Sequence, residues 1–156
     1  MSNFQHVRRS IVGFLFIAAC VLLPAGAEAQ SLGVRAGASV DPDQFYFGGH
    51  VETPAIVDRI HLRPNLEIGV GDDQTLIGVN IEAVYKYPLH RSLWVVYGGG
   101  GPAINYYDFD NDDSDTRGGL NFVGGLEHDR GLFFEVKIGA WESADLKFGV
   151  GYNFGR

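Results

Sequence analysis

The chain is poor in cysteine, in positive charge and in helical patterning. Its 156 residues include one Cys, Cys20, which excludes a disulfide framework and a cysteine-based zinc site. Twelve Lys and Arg stand against 19 Asp and Glu, a formal charge of −7, with no basic run, so nucleic acid is not an expected partner. After residue 29 no segment keeps an apolar face at helical spacing over three turns. P-loop, nucleophile-elbow and His-Glu-x-x-His motifs are all missing. What the chain has instead is glycine, 22 residues, and aromatics, with 11 Phe, 7 Tyr and 2 Trp.

The one long apolar run lies at the front. Arg8 and Arg9 precede an apolar stretch from Ile11 to Leu23, closed by Ala25-Gly26-Ala27-Glu28-Ala29. A membrane-spanning helix needs about 20 apolar residues, and this run stops short at Pro24. Residues 1–29 therefore read as a signal peptide, with Ala27-x-Ala29 as the cleavage motif and Gln30 as the new N-terminus. Ile17-Ala18-Ala19-Cys20 offers a rival, a lipobox that would lipidate Cys20. The apolar stretch continues past Cys20 into Val21-Leu22-Leu23, which favours cleavage near Ala29. Residues 30–156 then form one exported domain; losing Arg8, Arg9 and Glu28 leaves ten bases and eighteen acids, a net −8.

Within that domain alternation is nearly continuous. Leu32, Val34, Ala36, Ala38 and Val40 alternate with Gly33, Arg35 and Gly37, and Phe45, Phe47, Gly49 and Val51 with Gln44, Tyr46, His50 and Glu52. Leu62, Leu66, Ile68 and Val70 oppose His61, Arg63, Asn65 and Glu67, and the run from Ile77 to Tyr87 opposes Asn80, Glu82 and Lys86. A fifth segment, about 92–108, is strand-like without a clear facing. The last three place Leu120, Phe122 and Leu126 against Glu127, then Phe134, Val136 and Ile138 against Glu135 and Lys137, then Phe148, Val150, Tyr152 and Phe154 against Lys147 and Asn153. Turn residues separate the segments, from Asp41-Pro42-Asp43 to Glu142-Ser143-Ala144. Eight strands of ~10 residues, the length a tilted membrane strand needs, predict an all-β, eight-stranded, antiparallel up-and-down barrel, closed without an edge. Pro64 and Pro102 fall inside strands, where each removes a ladder donor, so a bulge or irregularity is expected at both.

Period alone does not separate a soluble calyx with an oily interior from a membrane barrel with a polar one. The polar face carries Arg35, Arg63, Lys86, Lys137 and Lys147 against Glu52, Glu67, Glu82, Glu127 and Glu135. Five against five suits a confined lumen, where every buried charge needs a partner. The other face ends in aromatics, among them Phe45, Phe47, Tyr85, Tyr87, Trp94, Tyr106, Phe148, Tyr152 and Phe154, as the girdles of membrane barrels do. Glycines 33, 37, 48 and 149 lie on the lumen side, making room for long side chains. The barrel is expected to be transmembrane.

The domain resembles the small OmpA/OmpX-type eight-stranded outer-membrane barrels over essentially its whole length. The most specific point is the last strand, Lys147-Phe148-Gly149-Val150-Gly151-Tyr152-Asn153-Phe154, which resembles the C-terminal assembly signal of such barrels and departs from it in the Gly155-Arg156 that follows. The resemblance implies a bacterial outer membrane of the Gram-negative type, recognition by the barrel-assembly machinery through Gly149, Tyr152 and Phe154, and both termini in the periplasm. It leaves activity open, because the scaffold hosts structural proteins, adhesins and lipid-modifying enzymes.

With periplasmic termini the outer connections hold Asp41, Asp43, Asp72, Asp73, Asp108, Asp110, Asp112, Asp113, Asp115, Glu142 and Asp145, eleven of the eighteen acids and no base. The inner turns carry Arg59, Arg91 and Arg130. Asp108, Asp110 and Asp112 open like a calcium loop, but the sixth position is Asp113 and the twelfth Gly119. With Asp115 they suggest a solvated acidic loop, or at most weak divalent binding beside lipopolysaccharide phosphates. His50 and His61 flank the second turn; if it centres on Ala55-Ile56 they are lumen neighbours beside Glu52, a pair suited to a metal or a proton relay. Arg63 and Glu82 are expected to pair across strands three and four. The function expected is that of a non-enzymatic, monomeric outer-membrane barrel without cofactor. Its lumen is plugged by the Glu/Lys/Arg set, and its acidic rim meets outer-membrane lipid and lipopolysaccharide. A narrow or gated channel, a lipid-modifying enzyme and a soluble exported ligand binder are the alternatives.

Overall fold

The computed structural model describes residues 30–41, 43–71, 74–109, 114–141 and 146–155. The signal segment with Cys20 lies outside the described residues, as do Asp72, Asp73, Asp110, Asp112, Asp113, Glu142 and Asp145. Alternation becomes eight strands: β1 (Ser31–Val40), β2 (Gln44–Glu52), β3 (Ile60–Val70), β4 (Gln74–Pro88), β5 (Trp94–Phe109), β6 (Ser114–His128), β7 (Leu132–Trp141) and β8 (Leu146–Phe154). Each pairs antiparallel with the next, and β1 closes the barrel on β8 from Leu32↔Phe154 to Val40↔Leu146. Closure satisfies the ladder groups that an open sheet would leave at its edges.

The solvent logic is inverted relative to a soluble domain. Arg63, Glu67, Glu82, Glu127 and Lys137 are at most 1% exposed, while Phe45 is 79%, Phe47 54% and Ile138 55% exposed. Aromatic side chains gather on the outer face at both ends. Tyr85, Tyr87, Phe134, Tyr152 and Phe154 lie toward the termini, and Phe45, Phe47, Phe148 and Trp141 toward the opposite end. A polar interior inside an apolar, girdled wall is the arrangement that hydrocarbon requires. The protein is a transmembrane β-barrel.

The expectation of uniform strands of about ten residues is corrected. The strands are unequal: β4, β5 and β6 have 15, 16 and 15 residues, against 9 to 11 for the others. The acidic connection is correspondingly shorter, because Tyr107 pairs with Asp115 and Asp108 with Ser114, so Asp108 and Asp115 belong to the ladder. Each proline coincides with a local irregularity of the ladder, as expected, in the form of missing pairs and not of a bulge. At Pro102 the β4–β5 ladder drops its pairs between Asn80↔Ala103 and Ala83↔Gly100, and the register is the same on both sides. At Pro64 the β2–β3 ladder ends at His50↔Asn65, and Thr53 N donates to Leu62 O at 2.9 Å in the same register. β5, unassigned by pattern, turns Tyr97, Ala103, Asn105 and Tyr107 inward.

Candidate functional site

Among the described residues the buried charged side chains gather in the lumen. β1 contributes Arg35, β2 His50 and Glu52, β3 Arg63 and Glu67, β4 Glu82 and Lys86, β5 Tyr97, β6 Glu127, β7 Glu135 and Lys137, and β8 Lys147 and Asn153. Toward the termini, Lys86 pairs with Glu52 and lies 2.7 Å from Glu127. Asn153 Nδ2 donates to Glu127 Oε1 at 2.6 Å, and its Oδ1 lies 2.8 Å from His50 Nε2. Arg35 then reaches His50 Nδ1 at 2.9 Å and Glu135 at 2.7 Å. Glu135 also accepts from Tyr97 Oη at 3.0 Å and Arg63 at 3.3 Å. Farther up, Lys137 pairs with Glu67 and lies 2.7 Å from Glu82, and Lys147 donates to Glu67 at 2.9 Å. One connected network thus ties all eight strands, with five cations against five carboxylates.

Hydrogen-bond chemistry fixes the state of His50. A guanidinium only donates, so Nδ1 accepts from Arg35; Nε2 then carries the proton and donates to Asn153 Oδ1. Both nitrogens are used, and the ring packs edge-on against buried Phe133, centroids 5.6 Å apart. Small residues make this possible. A Cβ at Gly33 would run into the His50 ring and Asn153, and one at Gly149 into Tyr46 Oη. Beside the ions runs an amide relay: Asn121 donates to Asn80, and Asn80 to Asn65, each at 2.8 Å.

The histidine pairing is corrected. β2 and β3 meet with His50 opposite Asn65, because the turn closes at Val57–Ile60 rather than Ala55–Ile56. His61 instead donates from Nδ1 to Thr53 O at 2.9 Å at the mouth, 3.9 Å from Glu52. Among the described residues no group of three His, Cys, Asp or Glu is placed to hold a metal ion. Arg63 and Glu82 do stand opposite each other in the ladder, but Arg63 ion-pairs with Glu52 and Glu135, and Glu82 with Lys137. Asp108 and Asp115 are exposed, and Asp115 takes Arg117 Nε at 2.8 Å. Tyr152 and Phe154 stack on the outer face with centroids 5.1 Å apart, so the side chains of the expected assembly signal point away from the lumen.

Two features were not anticipated. A vestibule of about 440 Å³ opens at the termini end, lined by Ser31, Glu52, Thr53, Arg59, His61 and Lys86 among others. His90-Arg91-Ser92 sets a His two residues ahead of a Ser, the spacing used by outer-membrane lipid A deacylases. Both residues are exposed in the β4–β5 turn, where Ser92 Oγ accepts from Trp94 N at 3.2 Å. Among the described residues no carboxylate is in ion-pair contact with His90.

No family model and no curated protein sequence matches the chain. Solved structures do. The N-terminal β-barrel domain of Pseudomonas aeruginosa OprF aligns at 16% identity with a TM-score of 0.57, over 80% of this chain and 97% of that one. Neisserial surface protein A aligns at 11% identity with a TM-score of 0.62, over 80% of this chain and 94% of that one. At such identities the likeness speaks for the fold, and the fold of this chain is that of the small eight-stranded outer-membrane β-barrels.

Proposed function

We propose that the protein is a non-enzymatic, structural component of a bacterial outer membrane, a monomeric barrel whose lumen is closed by its own side chains. The observation that carries this reading is the buried network to which every strand contributes. An eight-stranded barrel is only wide enough for side chains to fill, and here the filling is charged and mutually paired, which gives the wall stiffness more than net stability. Export follows from the signal segment 1–29, cleaved near Ala29, and the barrel-assembly machinery reads Gly149, Tyr152 and Phe154. The termini stand in the periplasm, and the acidic rim, with Asp108 and Asp115 on its strand ends, faces outward toward lipopolysaccharide through bridging divalent cations.

A narrow channel is the second reading, favoured by the vestibule, which brings solvent to Glu52 and Lys86. One experiment separates the two. The full chain is expressed in a Gram-negative host, and the outer-membrane fraction is run on gels boiled and unboiled; the same protein is then placed in planar bilayers. A heat-dependent mobility shift and near-silent conductance are expected. Glu82→Ala and Arg63→Ala should lower the temperature of the shift and raise conductance. If both variants leave conductance and heat stability unchanged, the plug is not what closes the barrel. A soluble periplasmic product without a shift overturns the membrane reading.

A further inference from the structure

The three turns at the termini end carry one arginine each: Arg59 between β2 and β3, Arg91 between β4 and β5, and Arg130 between β6 and β7. Two of them also hold large apolar side chains outward, with Ile56 55%, Val57 60% and Leu93 58% exposed. Backbone bonds fix these tips. Ile60 N donates to Val57 O at 2.8 Å, Leu89 N to Trp94 O at 3.0 Å, and Asp129 N to Leu93 O at 2.8 Å, tying the second turn to the third.

The apolar tips continue the lipid-facing belt, which ends beside them in Tyr87, 54% exposed. The Arg59 guanidinium lies 5.4 Å from the Tyr87 ring centroid, where the outer wall meets the vestibule that Arg59 also lines. Two carboxylates share these turns: Asp58, and Asp129, which lies 2.8 Å from His128. Among the described residues neither is in ion-pair contact with Arg59, Arg91 or Arg130. The opposite connections carry acids and no base. Guanidinium groups beside exposed apolar side chains match one chemistry well: phosphate oxygens at the boundary of a hydrocarbon layer.

We infer that the termini end of the barrel is a docking surface for anionic phospholipid headgroups, its apolar tips entering the bilayer interface and its three arginines taking the phosphates. The inference rests on the barrel standing in a bilayer, and not on whether its lumen is closed. Electrostatic attraction of this kind weakens as salt rises.

The test is native mass spectrometry of the folded barrel released from vesicles of equal phosphatidylcholine and phosphatidylglycerol. The protein should retain phosphatidylglycerol preferentially. The Arg59→Gln/Arg91→Gln/Arg130→Gln variant should lose that preference, by roughly fivefold for each arginine removed, while its heat-dependent gel shift stays intact. Equal retention of both lipids, or an unchanged preference in the triple variant, overturns the inference and leaves the proposed function standing. Equal, arginine-dependent retention of lipopolysaccharide in matched vesicles overturns the assignment to phospholipid. Failure of the chain to give a heat-shifted barrel at all removes the proposed function and this surface together.

Discussion

Arg35 and Glu135 stand 100 residues apart in the chain, and their side chains meet at 2.7 Å inside the barrel with neither exposed. Neighbouring strands are already held by backbone ladders, whereas this pair joins β1 to β7, which share no ladder. Removing one partner leaves uncompensated charge in a closed space, at a cost of about 3–5 kcal/mol. Glu135→Leu takes the nearer carboxylate from both Arg35 and Arg63 and leaves each with one at 3.5 Å, Glu67 and Glu52, so it should lower the stability of the folded barrel in micelles by up to that amount, read from urea unfolding by tryptophan fluorescence. The double variant Arg35→Met/Glu135→Leu should recover part of the loss. A single variant as stable as the native chain would mean that water in the lumen supports the charges.

Much of this was legible in the sequence, for a physical reason. A two-residue period is written into every strand, and a charge at an inward position such as Lys137 or Glu67 has nowhere to go except the lumen. Partner choice was not legible. A turn centred on Ala55-Ile56 would set His50 beside His61; in the structure Asp58 adopts φ 46° and the turn closes at Val57–Ile60, which moves His50 opposite Asn65. Cross-lumen contacts such as Arg35 with Glu135 depend on how far strands are staggered around the barrel, and no local pattern encodes that stagger. The acidic stretch 108–115 looked like loop by composition, yet Tyr107 pairs with Asp115 and stacks under Arg117 at 5.1 Å, which carries β5 and β6 further.

Gly33 should be intolerant of even a methyl group. Its Cβ would fall on the His50 ring and on Asn153 Oδ1, two side chains bonded to each other and to Arg35 and Glu127. Gly33→Ala must therefore displace a bonded pair, and overpacking of this kind costs about 1–3 kcal/mol. Gly118→Ala is the control, since a Cβ there meets nothing within 4 Å. The expected result is a lower gel-shift temperature for Gly33→Ala and an unchanged one for Gly118→Ala.

Pro102 offers the opposite case, a position where substitution should help. The β4–β5 ladder is missing its pairs at Ile81 and Glu82 although the register on either side is the same, while the β5–β6 ladder runs unbroken through Pro102↔Leu120. Pro102→Val returns an N–H to this gap and puts a β-branched side chain on an exposed outer position. One restored hydrogen bond is worth about 1 kcal/mol. Slower amide exchange at Ile81 and Glu82, together with a higher unfolding midpoint, would bear this out; a lower midpoint would show that the proline relieves strain from the close approach of Gly101 to Ile81 O.

His50 should answer to charge rather than to shape. It accepts from Arg35 at Nδ1 and donates from Nε2 to Asn153, so the site wants one acceptor and one donor on a neutral group. A glutamine amide supplies both, and His50→Gln should stay within about 1 kcal/mol of the native chain. His50→Lys sets an ammonium against the Arg35 guanidinium and removes the acceptor, so it should cost several kcal/mol, on the order of a broken buried ion pair. Nitrogen NMR of the native imidazole at neutral pH should find Nδ1 bare and Nε2 protonated. A doubly protonated ring would reverse the argument, because Arg35 would then have no acceptor there and the two ends of the network would be held apart by repulsion instead of joined through the histidine.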